Sequence, residues 1–357
     1  MTPRQKKDFY RDGYVVFRDI VPKTKVLKAA QTIFADLSRI WSESMSLGRR
    51  MQFDKDSTNN ELQESWKDAV KSGLRTGVHP AILDLVSPSD KLIPSIEEAL
   101  GEPLRELKGA QLATIFPSEP HNGITECGYR ALDIPFYGWH GHLDGLWNGS
   151  APPHQRTDRP MNKREMSKWS KEGGRNGVQR TYPGTNCNIN NFTALLGIPL
   201  SEQMSEGCGN LGLLRGAHHH IESFFQHQRD QGGPLGPDGP DWPRIHVEAP
   251  NRSGLRHYPD QIREKFKDTA AFTEDGHIWP KPDLIKVKPG DAVLALHAVP
   301  HSSSRNESVT PRMMAYFRLV PASRWERNGN VYADALCDCW LEWKGMQDTV
   351  AEMRAEN

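Results

Sequence analysis

The segment Tyr137-Gly-Trp-His-Gly-His-Leu-Asp-Gly145 gathers side chains that can hold a metal ion. Read as a strand, it would point His140, His142 and Asp144 to one face, because alternate residues share a face. His142 and Asp144 supply one imidazole and one carboxylate two residues apart. That is the short-range part of a two-histidine, one-carboxylate set, which leaves three positions of an iron open for a bidentate 2-oxo acid and O2. Alone the pair is weak: among 14 histidines, chance gives on the order of one such match. The second part is distal. Pro289-Gly-Asp291 turns into an apolar run over 292–296, followed by His297-Ala-Val-Pro-His301-Ser-Ser-Ser-Arg-Asn306 and, eleven residues after His301, Arg312. The spacing suits two adjacent antiparallel strands with Arg312 across the pocket from the metal. A planar guanidinium can grip the far carboxylate of 2-oxoglutarate bidentately, as a lysine could not. Ser303 can add a hydroxyl to it.

The elements that must carry these residues are mainly β with flanking helices. Residues 4–11 read as a short helix, 14–17 as a strand, and Pro22 opens a helix to about residue 37 with Val26, Ala29, Ala30, Ile33 and Leu37 at helical spacing. Residues 82–100 read as one or two helices ended by Gly101-Glu-Pro103. From about 106 the pattern becomes short β-prone runs between turns, at 112–116, 135–142, 190–200, 211–214, 284–287, 292–296 and 313–320. Such runs predict a β-sandwich or jelly roll. Two long polar stretches, 148–186 and about 222–282, interrupt them as functional loops. Leu336, Trp340, Trp343 and Val350 predict one packed C-terminal helix over 331–357. No repeat or linker divides the chain. The expectation is one domain over 1–357: a mostly helical part to 105, a β core over 106–320 with the two inserts, and the final helix.

Composition excludes several classes. Lys+Arg and Asp+Glu both total 45, so no net field draws the chain to nucleic acid or a membrane. Five cysteines (Cys127, Cys187, Cys208, Cys337, Cys339) in no repeating pattern argue against a disulfide framework. Residues 1–13 are charged and lack a signal-like apolar run, and no segment nears the roughly 18 apolar residues of a membrane span. A cytoplasmic protein with a small-molecule substrate fits best. The first insert carries eight basic residues against three acidic ones over 151–180. That is either a solvated loop or a lid for an anionic substrate, and its sparse aromatics disfavour nucleic acid.

These motifs carry a resemblance. Residues 135–320 resemble the phytanoyl-CoA hydroxylase family of Fe(II)- and 2-oxoglutarate-dependent oxygenases. The likeness rests on Trp139-His-Gly-His142-Leu-Asp144, on Gly209-Asn-Leu-Gly-Leu-Leu-Arg-Gly216-Ala-His218, and on Pro289-Gly-Asp291 through His301 to Arg312; Phe9-Tyr-Arg-Asp-Gly13-Tyr-Val-Val-Phe17 is similar to that family's opening. The resemblance implies a double-stranded β-helix (jelly-roll, cupin-like) core. It implies iron on His142, Asp144 and His301, and 2-oxoglutarate on Arg312 and Ser303, with Phe192 beside the cosubstrate and Gln111 and Thr114 as further candidates for that pocket. It also implies a hydroxylation driven by O2 that releases succinate and CO2. The carboxylate ligand favours this, because related halogenases lack it. Arg215-Gly-Ala-His218 stands where the family usually has Pro-Gly-Ser-His, so the acyl-CoA substrate does not carry over, and Arg215 becomes a substrate candidate. The separation of Asp144 from His301 is long because of the inserts.

The remaining candidates have plainer readings. His140 and His297 are packed or supporting histidines before they are ligands, yet both sit close enough to count with Trp147 and Arg215 as substrate-pocket candidates. His218-His-His220 reads as a turn with exposed imidazoles, and Trp139 as core. Two other functions stay open: a redox-neutral metal enzyme on a similar barrel, which has no need of Arg312 and Ser303, and a non-catalytic binding protein, which would not need an intact ligand set.

Overall fold

The computed structural model describes residues 1–46, 76–118, 120, 130–144, 146–147, 189–190, 192–232, 235–236, 240–241, 258–274, 276–325 and 330–356. The basic insert lies outside them. Helix α1 (Pro3–Asp12) opens with a capping box, Thr2 and Gln5 satisfying each other's backbone N–H groups, and closes on Gly13 in the left-handed conformation. Strand β1 (Tyr14–Phe17) follows, then α2 (Lys23–Ser46), longer than the sequence suggests, and α3 (Leu92–Leu100), stopped by left-handed Gly101.

The remaining strands are β2 (Gln111–Ile115), β3 (Leu146–Trp147), β4 (Ile189–Asn190), β5 (Ala194–Pro199), β6 (Leu211–Leu213), β7 (Ala271–Phe272), β8 (Ile278–Trp279), β9 (Asp283–Leu284), β10 (Ala292–Leu296), β11 (His301–Ser303) and β12 (Arg312–Leu319). They form an antiparallel five-stranded sheet, β1-β10-β5-β12-β2, and a three-stranded one, β11-β6-β9, with small hairpins β3-β4 and β7-β8.

Register decides which residues can meet, since directly opposed residues share a face. On the large sheet Tyr14 opposes Ala295, Ala295 opposes Leu195, Leu195 opposes Arg318, and Tyr316 opposes Gln111. One face therefore carries Tyr14, Val293, Leu195, Gln111, Arg312, Met314, Tyr316 and Arg318. The Tyr14 hydroxyl donates to Asp283 of β9, so this face looks toward the smaller sheet. The opposite face carries Phe17, Leu294, Leu196, Ile198, Phe317 and Leu319, all buried.

Four expectations fail. Residues 135–142 are not a strand: Phe136, Tyr137 and Gly138 form a left-handed turn, and Gly141 is left-handed as well. The second insert is not loop throughout, since α4 (Ala217–Asp230) enters it and β7 and β8 lie inside it. His218 in α4 is fully buried, its Nε2 against the Tyr10 carbonyl at 2.8 Å, rather than exposed in a turn. The C-terminal helix is two, α5 (Asn330–Cys337) and α6 (Gln347–Ala355). Asp338 and Glu222 divide them by accepting the N–H groups of Trp340 and Cys339. Leu336, Trp340, Trp343 and Val350 are all buried even so, with both indoles packed edge-on against Phe9.

Candidate metal centre

His301 begins β11, where it opposes Leu213 of β6. His142 pairs with it on the other side: each backbone N–H donates to the other's carbonyl at 2.9 Å. The chain reaches that position because Trp139 anchors it. The indole is almost wholly buried and donates from Nε1 to the Gly212 carbonyl at 3.0 Å. Gly212 and Gly141 make room for it, since a Cβ on either would collide with the ring.

The two imidazoles lie with centroids 4.8 Å apart. Asp144 faces both, 3.4 Å from His142 Nε2 and 3.7 Å from His301 Nε2. One donor atom from each residue falls within 4.8 Å of the others, the one such group of three among the described residues. The His301 Nδ1–H donates to the Val299 carbonyl at 3.0 Å, an assignment made from the partner. Its Nε2 is left facing the Asp144 carboxylate. Burial chiefly lowers the His142 pKa to about 4, against the pull of Asp144, so the His142 ring is neutral at pH 7 and can offer a lone pair. Burial alone would raise the Asp144 carboxyl, but the facing imidazoles outweigh it and hold it below the ordinary carboxylate range. Two imidazole nitrogens and a carboxylate oxygen converging at this distance are a donor set that fits a divalent metal ion.

Arg312 is buried on the inner face of β12. It donates to the Ala113 carbonyl at 3.2 Å, to Gln203 Oε1 at 3.4 Å and to the Tyr316 hydroxyl. Three strand steps on, Arg318 donates from Nη2 to Gln111 Oε1 at 2.9 Å and to Asp144 Oδ2 at 3.3 Å. Its guanidinium sits over the Phe192 ring, 5.6 Å from the centroid. A cleft of about 490 Å³ opens beside Arg318, lined also by Arg105, Lys108, Gln111, Tyr316 and Val320.

The structure therefore places His142, Asp144 and His301 together, with Gln111 and Phe192 around Arg318 at their edge. Ser303 is exposed on the same face of β11 as His301. Thr114 is a correction. It opposes Met313 rather than Arg312, so two-residue alternation turns its buried side chain to the outer face, away from the pocket. His140 is cut off from the expected alternation by left-handed Gly141, and its Nδ1 lies 3.1 Å from the Gly138 carbonyl. Arg215 is drawn off by carboxylates, donating to Asp283 at 2.6 Å and lying 3.7 Å from Asp12. His297 is buried, with its backbone N–H on the Thr193 carbonyl at 3.3 Å, and is not one of the clustered donors. Trp147 pairs with Ile189 through its backbone, and its side chain lies outside the described residues.

Sequence reasoning passed over Tyr316, Arg318 and Gln203. The first two had a signal: Arg312, Met314, Tyr316 and Arg318 alternate along one β-prone run and must share its face. Gln203 had none, being placed by an isolated backbone bridge to Val287.

Among the described residues, no helix is long and apolar enough to cross a membrane. No family model matches the chain, and no curated protein matches it in sequence. Solved structures align over most of its length at low identity. AviO1 from Streptomyces viridochromogenes Tue57 is 13% identical over 90% of this chain and 95% of its own, with a TM-score of 0.39. HygX from Streptomyces hygroscopicus, solved with nickel and 2-oxoglutarate, is 11% identical over 90% and 88%, with a TM-score of 0.38. SnoN, a non-heme alpha ketoglutarate dependent epimerase from nogalamycin biosynthesis, is 12% identical over 89% and 82%, with a TM-score of 0.32.

Proposed function

We propose that this chain is an Fe(II)- and 2-oxoglutarate-dependent oxygenase on a double-stranded β-helix core, acting on a small organic substrate by hydroxylation. The observation that carries the reading is the convergence of two imidazoles and one carboxylate between two antiparallel sheets, with a buried arginine on the facing strand. His142, Asp144 and His301 would hold the metal and Arg312 the far carboxylate of the cosubstrate. Bound iron with 2-oxoglutarate and O2 supplies the oxidising power, with succinate and CO2 as by-products.

The chain's own groups do the rest. The Val299 carbonyl fixes the His301 tautomer, so that Nε2 is the donor. The mutual backbone hydrogen bonds of His142 and His301 set the spacing of the two rings. Gln203 and the Ala113 carbonyl hold the Arg312 guanidinium in one orientation, and preorganised donors cost nothing to align when an anion arrives. Ser303, on the His301 face of β11, can add a hydroxyl to that anion. Phe192, which is buried, keeps water from one side of the pocket. A redox-neutral metal enzyme would use the same three ligands but has no use for an arginine buried on the inner face of β12.

Equilibrium dialysis of 2-oxoglutarate against the anaerobic, Fe(II)-loaded protein tests this. Arg312→Lys should weaken 2-oxoglutarate at least about tenfold, because one point charge replaces a bidentate fork, while Fe(II) affinity stays within about threefold. Equal 2-oxoglutarate affinity in the two proteins would remove Arg312 from the role.

A further inference from the structure

Arg318 touches a candidate metal ligand but cannot itself bind a cation. Register puts it on the inner face of β12, where it opposes Leu195, one alternation beyond Tyr316, which opposes Gln111. Its Nη2 donates to Asp144 Oδ2 at 3.3 Å and to Gln111 Oε1 at 2.9 Å, and its guanidinium lies over the Phe192 ring, 5.6 Å from the centroid. An acceptor on the neighbouring strand and an aromatic face thus fix the direction from which that nitrogen meets Asp144. Stability does not explain the contact: the two side chains are 47% and 26% exposed, and an ion pair in that setting contributes little to folding. Affinity does not explain it either, because a positive charge beside a cation site opposes metal binding by Coulomb repulsion. What the guanidinium supplies is a directed donor on one oxygen. The two oxygens of Asp144 differ in their neighbours: Oδ1 lies 3.4 Å from His142 Nε2, while Oδ2 lies 3.7 Å from His301 Nε2 and accepts from Arg318. A carboxylate can take a divalent ion through one oxygen or through both, and the second mode uses up a coordination position.

We infer that Arg318 is a positioning residue that reserves Oδ2, so that Asp144 meets the metal through Oδ1 alone and three coordination positions stay open rather than two. The inference rests on the metal centre of the proposed function, and not on the cosubstrate or the reaction. Arg318 gives up some metal affinity and in return keeps room on the metal for a bidentate ligand and a further small molecule together.

The test counts water on the metal. Mn(II) accepts the same nitrogen and oxygen donors, and its relaxation of water protons rises with the number of waters it carries. The full-length protein is loaded with Mn(II), and free ion is quantified by electron paramagnetic resonance. Arg318→Met should lower the relaxation enhancement per bound ion by about one third, as one of about three waters gives way to Oδ2. Its Mn(II) affinity should stay level or rise, since a repelling charge leaves and a second oxygen arrives. Arg318→Lys, which keeps a charge and a donor, should recover roughly half or more of the lost enhancement. Gln111→Leu leaves the arginine in place without its orienting acceptor and should show a smaller fall; it carries the test if Arg318→Met does not fold. Unchanged enhancement in Arg318→Met, or in Gln111→Leu where only that variant folds, overturns the inference and leaves the metal centre standing. A loss of Mn(II) affinity of about tenfold or more in Arg318→Met also overturns it, because that is the cost of losing a partner that serves metal binding itself. An unaltered protein that binds no Mn(II) removes the metal centre and the inference together.

Discussion

Gly212→Ala should damage the metal centre without touching a ligand. A Cβ built on Gly212 lies 2.5 Å from Trp139 Nε1 and against Cδ1 of the same ring, where ordinary contact begins at 3.4 Å. Something must therefore move by nearly 1 Å. The indole cannot swing aside, because it is 1% exposed and hydrogen-bonded to the carbonyl of Gly212 itself. Overpacking of this kind costs about 1–3 kcal/mol, and losing the indole hydrogen bond adds about 1 kcal/mol. The displacement is also functional. Trp139 precedes His142 by three residues, while Gly212 lies on β6, which carries His301 through β11. Forcing ring and strand apart separates the two histidines, and their donors already span the width a divalent ion needs. We expect a loss of about 2–4 kcal/mol in urea unfolding and at least a tenfold loss of Co(II) affinity by chelator competition. Trp139→Phe, which removes the hydrogen bond and some packing but adds no clash, should lose less of both. If Gly212→Ala keeps Co(II) affinity within twofold, the proposed coupling through Trp139 is wrong.

Two further predictions concern the buried charges behind the site. Arg324 and Glu342 are paired through Nε at 2.8 Å and a second contact, with side chains 4% and 1% exposed, and Thr193 bridges them. Glu342→Leu strands a buried cation and should cost about 3–5 kcal/mol, while Glu342→Leu/Arg324→Met should recover much of that loss; equal losses in single and double variants, measured by urea unfolding, would contradict the pairing. His297 lies near this pair, its pKa lowered to about 4 mainly by burial and then by the Arg324 charge. The folded state thus binds fewer protons than the unfolded one between about pH 4 and 6.5, and stability falls as pH drops through that window. The loss from this residue is about 2 kcal/mol by pH 5. His297→Leu should flatten the stability–pH curve by that amount, and an unchanged slope would show that His297 is not buried neutral.

The candidate ligands were legible in the sequence because metal ligation restricts residue types and spacing, and the fold brings His142, Asp144 and His301 together, with Arg312 buried on the inner face of β12. Their setting was less so. The strand expected over 135–142 followed from β-prone composition, but Gly138 and Gly141 adopt left-handed angles, and the shared face of His142 and Asp144 arises from a bridge to β11 rather than from a continuous strand. Thr114 was misplaced because a β-prone run does not disclose which parity faces inward. Only the register with β12 does. Arg215 looked like a surface cation open to a ligand; its carboxylate partners, Asp12 and Asp283, come from distant segments that no local pattern connects. Arg318 was within reach, since alternation from Arg312 along one strand already predicts its face.

The central claim is that these three donors and Arg312 form one site for iron and a 2-oxo acid. Anaerobic titration of the apoprotein with Fe(II), then with 2-oxoglutarate, followed by visible absorbance, tests it most directly. A weak charge-transfer band should appear only when both are present, be absent in His142→Ala and be weakened in Arg312→Lys. Fe(II) binding with no band, and no measurable affinity for 2-oxoglutarate, would contradict it and leave a redox-neutral metal site in its place.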